Sequence, residues 1–365
     1  MRHVFDVQPP HASPYPVLCG EDPAPALARL WQPAWEQAVI IGDENTSRLF
    51  ADPLAQALAG RVQRLLRLSF PAGERHKTRQ TKARLEDAML AAGIDRRACI
   101  VAVGGGVVLD VAGFVAATFL RAVAHVNVAT TLLAQVDAAL GGKTGVNTPR
   151  GKNLVGAFHH PRAVLLDAGA LSSLPASELR AGLAEAVKHA AVADARLFAR
   201  IEAWSKGGSL RLPDEIIVRC ARVKAGVVAR DDRDQGLRHI LNFGHSVGHA
   251  IEHATVHRTA HGPAVAIGMA IEARVAAAEG TFPERDLRRL AALLGRLGLP
   301  TAAPCDFAAA QPFLASDKKR RGAGVRCAIP RRIGTSVPGD GSFTREVSLD
   351  ALRAAWEEKP LAVGR

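Results

Sequence analysis

The chain has 365 residues, of which 48% are hydrophobic and 22% charged, and a formal net charge of +12. That length exceeds what one hydrophobic core serves, so two domains are expected; the composition is that of a soluble globular protein, with no apolar run of the ~18 residues that would mark a membrane span. The charge would suit nucleic acid, but Lys and Arg are dispersed, the longest cluster being DKKRR at 317–321, and no aromatic-interleaved basic motif accompanies them. A basic pocket for an acidic small molecule explains the charge equally well, so neither nucleic acid nor a membrane is the expected partner.

The opening, MRHVFDVQPPHASPYP, lacks a secretory hydrophobic region, and Cys19, Cys99, Cys220, Cys305 and Cys327 form no CxxC. Both features point to a reducing cytoplasm and away from a cysteine-held zinc. Short apolar runs then alternate with helical patterns. QAVIIGDEN (37–45), RVQRLLRLSF (61–70), ACIVAVGGG (98–106), AHVNVA (124–129) and RAVLLDAG (162–169) read as strands. TSRLFADPLAQALAG (46–60), TRQTKARLEDAMLAAG (78–93) and VVLDVAGFVAATFLR (107–121) read as the helices between them. Such alternation implies right-handed crossovers and a mostly parallel sheet, an α/β domain over residues 1–172. From about residue 173 to 365 three-and-four spacing dominates and a mainly α-helical domain is expected, with a small hairpin in GVRCAIPRRIGTSVP (324–338) and a last helix in SLDALRAAWEEK (348–359).

The strand–helix junction IVAVGGGVVLDVAGF places Gly104, Gly105 and Gly106 where backbone N–H groups can approach a phosphate at a helix N-terminus. A tight turn would need the same glycines, and the spacing is not G-x-G-x-x-G. Asp110, one turn into the helix, could reach a nicotinamide amide, and Asp43, Glu44 and Asn45 end the first predicted strand where ribose hydroxyls would be met. TTLLAQVDAALGGKTGVNTPRGKN (130–153) sets Asp137 before Lys143, Lys152 and Asn153 on glycine-loosened backbone. Two lysines and an asparagine suit oxyanions; a solvated loop would explain the glycines and lysines but not the acid among them, and there is no P-loop. In RAGLAEAVKHA, Glu185 and Lys188 share a helix face in apolar company, either a surface ion pair or part of a site.

In NFGHSVGHAIEHATVHRTAHG (242–262) a histidine recurs at 245, 249, 253, 257 and 261. Each four-residue step over-rotates a helix by roughly 40°, so His261 would lie roughly 160° from His245 on one straight helix. The row is therefore either a solvent-facing stripe or a metal site in which the chain reverses and another ligand arrives from elsewhere. Gly262 and Pro263 offer the break.

GGGVVLDVAGFVAATFLR, TTLLAQVDAALGGKTGVNTPRGKNLVGAF, LPASELRAGLAEAVKH, GLRHILNFGHSVGHAIE and HGPAVAIGM together resemble the 3-dehydroquinate synthase family, within the sugar phosphate cyclases, over about residues 37 to 330. The resemblance implies an N-terminal Rossmann-like, mostly parallel NAD-binding α/β domain and a C-terminal mainly α-helical domain that binds metal and substrate. It implies a divalent metal, Zn²⁺ or Co²⁺, held by Glu185, His245 and His261, with His253 and His257 as bystanders. For NAD it implies Asp43, Asn45, Gly73, Glu74, Lys77, Gly105, Gly106, Asp110, Thr130, Thr131, Lys143 and Lys152. Around the sugar phosphate it implies Lys143, Asn153, Lys224, Arg238, Asn242, His249 and Lys318, with Asp137 and Lys188 beside the reacting hydroxyls, and Arg121 reaching into a partner subunit of a homodimer. The implied substrate is 3-deoxy-D-arabino-heptulosonate 7-phosphate, cyclised by transient oxidation, phosphate elimination, re-reduction and aldol closure.

Some positions depart from the family pattern. Leu109 stands where Gly is usual, Pro263 where Glu is usual, and Ala129, Ala138, Ala139 and Thr148 replace Pro, two Ser and His. A cyclase of the same group acting on sedoheptulose 7-phosphate or glucose 6-phosphate is the nearest alternative, although Lys224, Asn242 and Lys318 match the set for a carboxylated substrate. A metal-dependent alcohol dehydrogenase and a non-catalytic nucleic-acid-binding protein stand further off.

Overall fold

In the computed structural model, residues 1–256, 258–315, 324–337 and 343–358 are described, and they divide into two compact units. The first comprises Met1–Leu174 with Lys224–Asp232. In chain order it holds β1 (Arg2–Val7), β2 (Tyr15–Gly20), α1 (Pro23–Leu30), β3 (Gln37–Asp43), α2 (Glu44–Leu58) and β4 (Arg64–Phe70). Next come α3 (Arg79–Ala91), β5 (Ala98–Gly104), α4 (Gly106–Thr118), β6 (Ala124–Ala129), a hairpin of β7 (Lys143–Thr148) and β8 (Gly151–Phe158), and β9 (Ala163–Asp167).

Seven strands form one sheet in the order β1-β2-β9-β6-β5-β3-β4, all parallel except the edge strand β1. Residues 98–103 of β5 and Ala38–Ile41 of β3 are buried whichever way they point, as expected of strands covered by helices on both faces. Edge strand β4 keeps Arg64 and Arg67 exposed, which discourages further pairing. Chain order reverses between β3 and β5, because β4 lies outside β3 while β6 and β9 continue past β5. In open α/β sheets the crevice at such a reversal, at the carboxyl ends of the strands, is where ligands bind. Asp43 ends β3 and Gly104–Gly106 follow β5, so both sequence motifs flank it.

The N-terminal strands are not evident from local pattern. β2 owes its place to parallel pairing with the buried β9, Val17 opposite Val164. The segment 130–153, glycine- and lysine-rich enough to read as loop, instead forms a π-helical turn (Ala134–Ala138) and the β7–β8 hairpin.

The second unit comprises Pro175–Val223 and Arg233–Arg365, with its masked stretches excepted. It contains α5 (Ala176–Ala193), α6 (Ala195–Ser205), α7 (Asp214–Val228, whose last residues belong to the first unit), α8 (His245–Ala254) and α9 (His261–Ala278). After these come α10 (Glu284–Arg296), α11 (Phe307–Ala315), β10 (Val325–Cys327), β11 (Arg345–Val347) and α12 (Leu349–Glu357). Of the hairpin expected within 324–338, the described residues form only a tight turn with an isolated antiparallel bridge, Arg332 opposite Thr335; β10 instead pairs antiparallel with β11, Val325 opposite Val347. Pro330, which follows closely after β10, cannot donate to a ladder and disfavours an immediate return strand.

α9 is buried from Ala264 to Ala276 without a polar stripe, the pattern of a central helix. Its glycines set how closely its neighbours approach. A Cβ on Gly268 would lie 1.9 Å from the carbonyl oxygen of Gly244, and one on Gly262 would lie 2.3 Å from Cα of Ala181 on α5. Backbone contact with both α5 and the start of α8 is possible only because side chains are missing there.

Candidate active site

In the first unit the β5–α4 turn lies against the residues after β6. Thr130 N donates to Gly104 O at 3.1 Å, and a Cβ on Gly105 would sit 2.9 Å from Cγ2 of Thr131. Gly105 precedes α4 without a side-chain cap, leaving the first N–H groups of a 13-residue helix available. Gly105, Gly106, Thr130 and Thr131, drawn from two segments, thus make a bare backbone cradle of the kind a diphosphate fits. Asp43 sits across the sheet reversal and is already engaged: its Oδ1 accepts from Asn45 N at 3.0 Å and Thr46 N at 2.8 Å, forming a capping box at the start of α2.

A second cluster forms around Lys77, which is nearly buried. Its Nζ pairs with Asp110 Oδ2 and donates to Asn153 Oδ1 at 2.5 Å. Burial pushes the Asp110 carboxyl up, with Lys77 pulling it back. The loop bearing Gly73, Glu74 and Lys77 is fastened to the hairpin by Asn147, whose side chain donates to Glu74 Oε1 at 2.7 Å and whose N–H donates to Lys77 O at 2.8 Å. Asn153, with φ 55, receives its own tie at 3.0 Å from its N–H to Asn147 Oδ1. Residues assigned separately to cofactor and substrate are therefore neighbours here. Lys143, exposed at the start of β7, and Lys152 in β8 belong to the same hairpin. Asp137, in the π-helical turn, accepts an ion pair from Lys224.

The second unit carries the other cluster. Glu185 and Lys188 form an ion pair with each side chain only 1% exposed, so the surface alternative for that pair is excluded. Glu185 Oε1 lies 3.7 Å from His245 Nε2 and 3.4 Å from His261 Nε2. One ligand atom from each of the three residues falls within 4.8 Å of the others. The histidine row takes the form that its metal-site alternative needed: His245 and His249 occupy successive turns of α8, the chain turns, and His261 opens α9. The rings of His245 and His261 are 5.4 Å apart, and His249, exposed, is 5.3 Å from His245. His253 stacks on Phe313 at 5.3 Å, away from the cluster, and His257 lies outside the described residues.

Two imidazoles and one carboxylate match Zn²⁺ or Co²⁺. The outer groups fit as well: His245 Nδ1 is 3.3 Å from Phe243 O, and His261 Nδ1 is 3.5 Å from Glu252 Oε2. Burial opposes a charge on His261, but hydrogen bonds to Glu185 and Glu252 outweigh it and raise the imidazole to about 9. A cation bound there takes the place of that proton. His245 goes the other way, lowered by burial and by Lys188. Arg238, buried, and Asn242 lie on the 3-10 turn Leu237–Asn242 that leads into α8.

Arg121 is exposed in a run of positive φ, Leu120 at 47, Arg121 at 69 and Ala122 at 106. Lys318 lies outside the described residues. Two carboxylates beside the candidate metal ligands escaped the sequence reading. Glu252 carried a usable signal, since it follows His245 and His249 on the same helical face. Glu272 carried none: it sits in α9, and its Oε2 accepts from Gly244 N at 2.9 Å while Oε1 accepts from Val247 N at 3.4 Å, capping α8 from another helix.

A family model described as 3-dehydroquinate synthase N-terminal matches residues 67–181, and one described as 3-dehydroquinate synthase C-terminal matches residues 182–320. The chain belongs to the 3-dehydroquinate synthase family. It is 42% identical over 338 residues to the 3-dehydroquinate synthase of Symbiobacterium thermophilum, covering 91% of this chain and 93% of that one. To that of a Synechococcus strain it is 45% identical over 311 residues, 82% and 84% of the two chains. Among solved structures, 2-deoxy-scyllo-inosose synthase complexed with carbaglucose-6-phosphate, NAD+ and Co2+ superposes with a TM-score of 0.87 at 26% identity, covering 96% of this chain and 98% of that one. ValA, the 2-epi-5-epi-valiolone synthase from Streptomyces hygroscopicus with NAD+ and Zn2+ bound, does so at 0.81 and 32%, covering 93% and 95%. Glycerol dehydrogenase from Schizosaccharomyces pombe, at 0.64 and 17%, shares the fold alone.

Within a 3-dehydroquinate synthase family member, the unusual Leu109 and Pro263 find ordinary places. Leu109 is buried on α4. Pro263 is the third residue of α9, where a missing N–H costs no intrahelical bond.

Proposed function

We propose that the chain converts 3-deoxy-D-arabino-heptulosonate 7-phosphate to 3-dehydroquinate and inorganic phosphate, as a phosphate-eliminating lyase that uses NAD and a divalent metal. The observation that carries this reading is the convergence of Glu185, His245 and His261 in a chain of this family. When bound, NAD⁺ supplies a transient oxidation at one ring hydroxyl and Zn²⁺ or Co²⁺ polarises its oxygen.

The chain's own residues bind, orient and neutralise. Glu185, His245 and His261 hold the metal, and the Glu185–Lys188 pair keeps an ammonium group beside it. The bare backbone at Gly105 and Gly106, with Thr130 and Thr131, receives the cofactor diphosphate, and Asp43, Asn45, Gly73, Glu74, Lys77, Asp110 and Lys152 serve the rest of the dinucleotide. Lys143 and Asn153 face the phosphate and stabilise the charge it gathers on leaving, while Lys224, Arg238, Asn242, His249 and Lys318 serve the remaining substrate anions and hydroxyls. Asp137, paired with Lys224, is a carboxylate acceptor for a substrate hydroxyl. The strained, exposed placement of Arg121 supports its insertion into a partner's site and hence a homodimer. Five free thiols, four of them buried, support a cytoplasmic setting, and no described helix is long and apolar enough to cross a membrane.

The two cyclase structures favour one second reading, a related sugar phosphate cyclase whose substrate lacks the carboxylate. Phosphate release decides between them, measured with NAD⁺ and Zn²⁺ or Co²⁺ on 3-deoxy-D-arabino-heptulosonate 7-phosphate beside sedoheptulose 7-phosphate and glucose 6-phosphate. Turnover of the first without net NADH supports the synthase. Turnover of another substrate alone moves the chain to the second reading, and stoichiometric NADH would overturn both.

A further inference from the structure

The first unit contains a polar cluster that the proposed chemistry does not use. Asp232, its side chain 2% exposed, accepts from the His11 ring Nδ1 at 2.8 Å and from the His11 backbone N–H at 3.3 Å. Its other flank faces His160, Nε2 to Oδ2 at 3.5 Å. Burial alone would raise the Asp232 carboxyl, but the His11 hydrogen bonds and nearby His160 hold it below its ordinary range, so it carries charge at neutral pH.

The three residues come from distant parts of the chain. His11 lies between β1 and β2, His160 just follows β8, and Asp232 ends the segment Lys224–Asp232. That segment is thereby anchored at both ends, Lys224 to Asp137 and Asp232 to the two histidines. Between them Val227 and Val228 are buried, and helical bonds run on from Ala225 O to Ala229 N and from Val227 O to Asp231 N, at 2.8 and 2.9 Å.

The same imidazole also backs the turn that presents Lys143. Gly142 has φ 66, and a Cβ there would lie 3.0 Å from Cγ of His160. His159 N donates to Gly142 O at 2.8 Å. Gly141 N donates to the hydroxyl of Tyr15, whose ring centroid is 5.9 Å from that of His160. One histidine therefore touches both the carboxylate that ends the Lys224 segment and the glycine that precedes Lys143.

We propose that Asp232 and His160 are positioning residues that hold Lys224 and the Gly141–Gly142–Lys143 turn in register, so that the two lysines act as one anion-binding unit. This rests on the reading that Lys143 and Lys224 bind the substrate's anions. Neither Asp232 nor His160 touches substrate; each acts through a lysine.

The test is a double-mutant cycle on the metal- and NAD-loaded enzyme, reading kcat and KM for the sugar phosphate. Asp232→Asn is expected to raise KM about tenfold, the scale of a lost charge-assisted hydrogen bond, with a smaller change in kcat and with metal content unchanged. In a Lys224→Ala background the same substitution is expected to add little. His160→Gln, whose amide N–H can still reach the carboxylate, should stay near the parent, whereas His160→Ala should resemble Asp232→Asn. Additive effects of Asp232→Asn and Lys224→Ala would overturn the proposal. So would a parallel loss of NAD⁺ affinity and metal, the mark of general unfolding. If Lys224→Ala itself leaves KM unchanged, the substrate reading of that lysine fails and the proposal goes with it. If Lys224→Ala raises KM while Asp232→Asn is inert, the proposal alone fails. Should Asp232→Asn not fold, His11→Ala removes the ring bond to Asp232 from an exposed side chain, leaves the backbone one in place, and completes the cycle with a smaller expected rise in KM.

Discussion

Gly262 lies so close to Ala181 that a Cβ on it would come within 2.3 Å of the Ala181 Cα. This contact brings the first turn of α9 onto α5, one turn before Glu185, and it is how His261 comes to face that carboxylate. Gly262→Ala must push the helices apart. Loss of bound Zn²⁺ or Co²⁺ is the expected outcome, measured as metal per chain after dialysis. His261→Ala should lose metal to the same extent while far-ultraviolet circular dichroism stays unchanged, and His253→Ala should keep it. Full metal retention in Gly262→Ala would show that the ligand set tolerates a wider separation.

Glu272 predicts a pH-dependent stability. Burial raises its carboxyl from an ordinary value of 4.5 to about 8, with the N–H groups of Gly244 and Val247 pulling it only partly back. Between those two values the folded chain holds a proton that the unfolded chain has released. Its contribution to stability is therefore complete below about pH 4.5 and declines as pH rises to about 8. Glu272→Gln keeps a carbonyl oxygen to accept from α8 and has no proton to lose. The variant's advantage in denaturant midpoint should grow across this range, and a difference independent of pH would refute the assignment.

Lys77 balances a mostly buried carboxylate, so Lys77→Met should cost of order 3 kcal/mol by leaving Asp110 without its cation. NAD⁺ affinity should fall as well. Adding Asp110→Asn removes the unpaired charge and should recover much of the stability but not the affinity. Urea unfolding and NAD⁺ titration separate the two effects.

Asp43 has a structural task and a proposed binding one. Asp43→Ala should destabilise α2 by about 1 kcal/mol, the usual value of an N-cap. Asp43→Ser preserves a capping oxygen while removing the carboxylate. If Asp43 also meets the ribose, the Ser variant will keep its thermal midpoint yet bind NAD⁺ more weakly; unchanged affinity would confine Asp43 to the cap.

Sequence by itself determined the alternation of strand and helix from Gln37 onward, because β3, β5 and α4 follow from apolar runs and glycine turns local to each segment. It also required that five histidines at a spacing of four could not all face one ion from a single straight helix, since helical rotation is a local property. The motifs carried the family resemblance, and with it the proposed ligand set Glu185, His245 and His261. Only the tertiary structure decided what meets. Nothing near Glu272 in sequence hints that it caps α8, and nothing near His160 hints at Asp232. The strand β2 and the pairing of β10 with β11 were hidden for the same reason. Periodicity and turn chemistry are written over a few residues, whereas the approach of two backbones depends on what a distant segment brings against a missing side chain, as at Gly262 and Gly268.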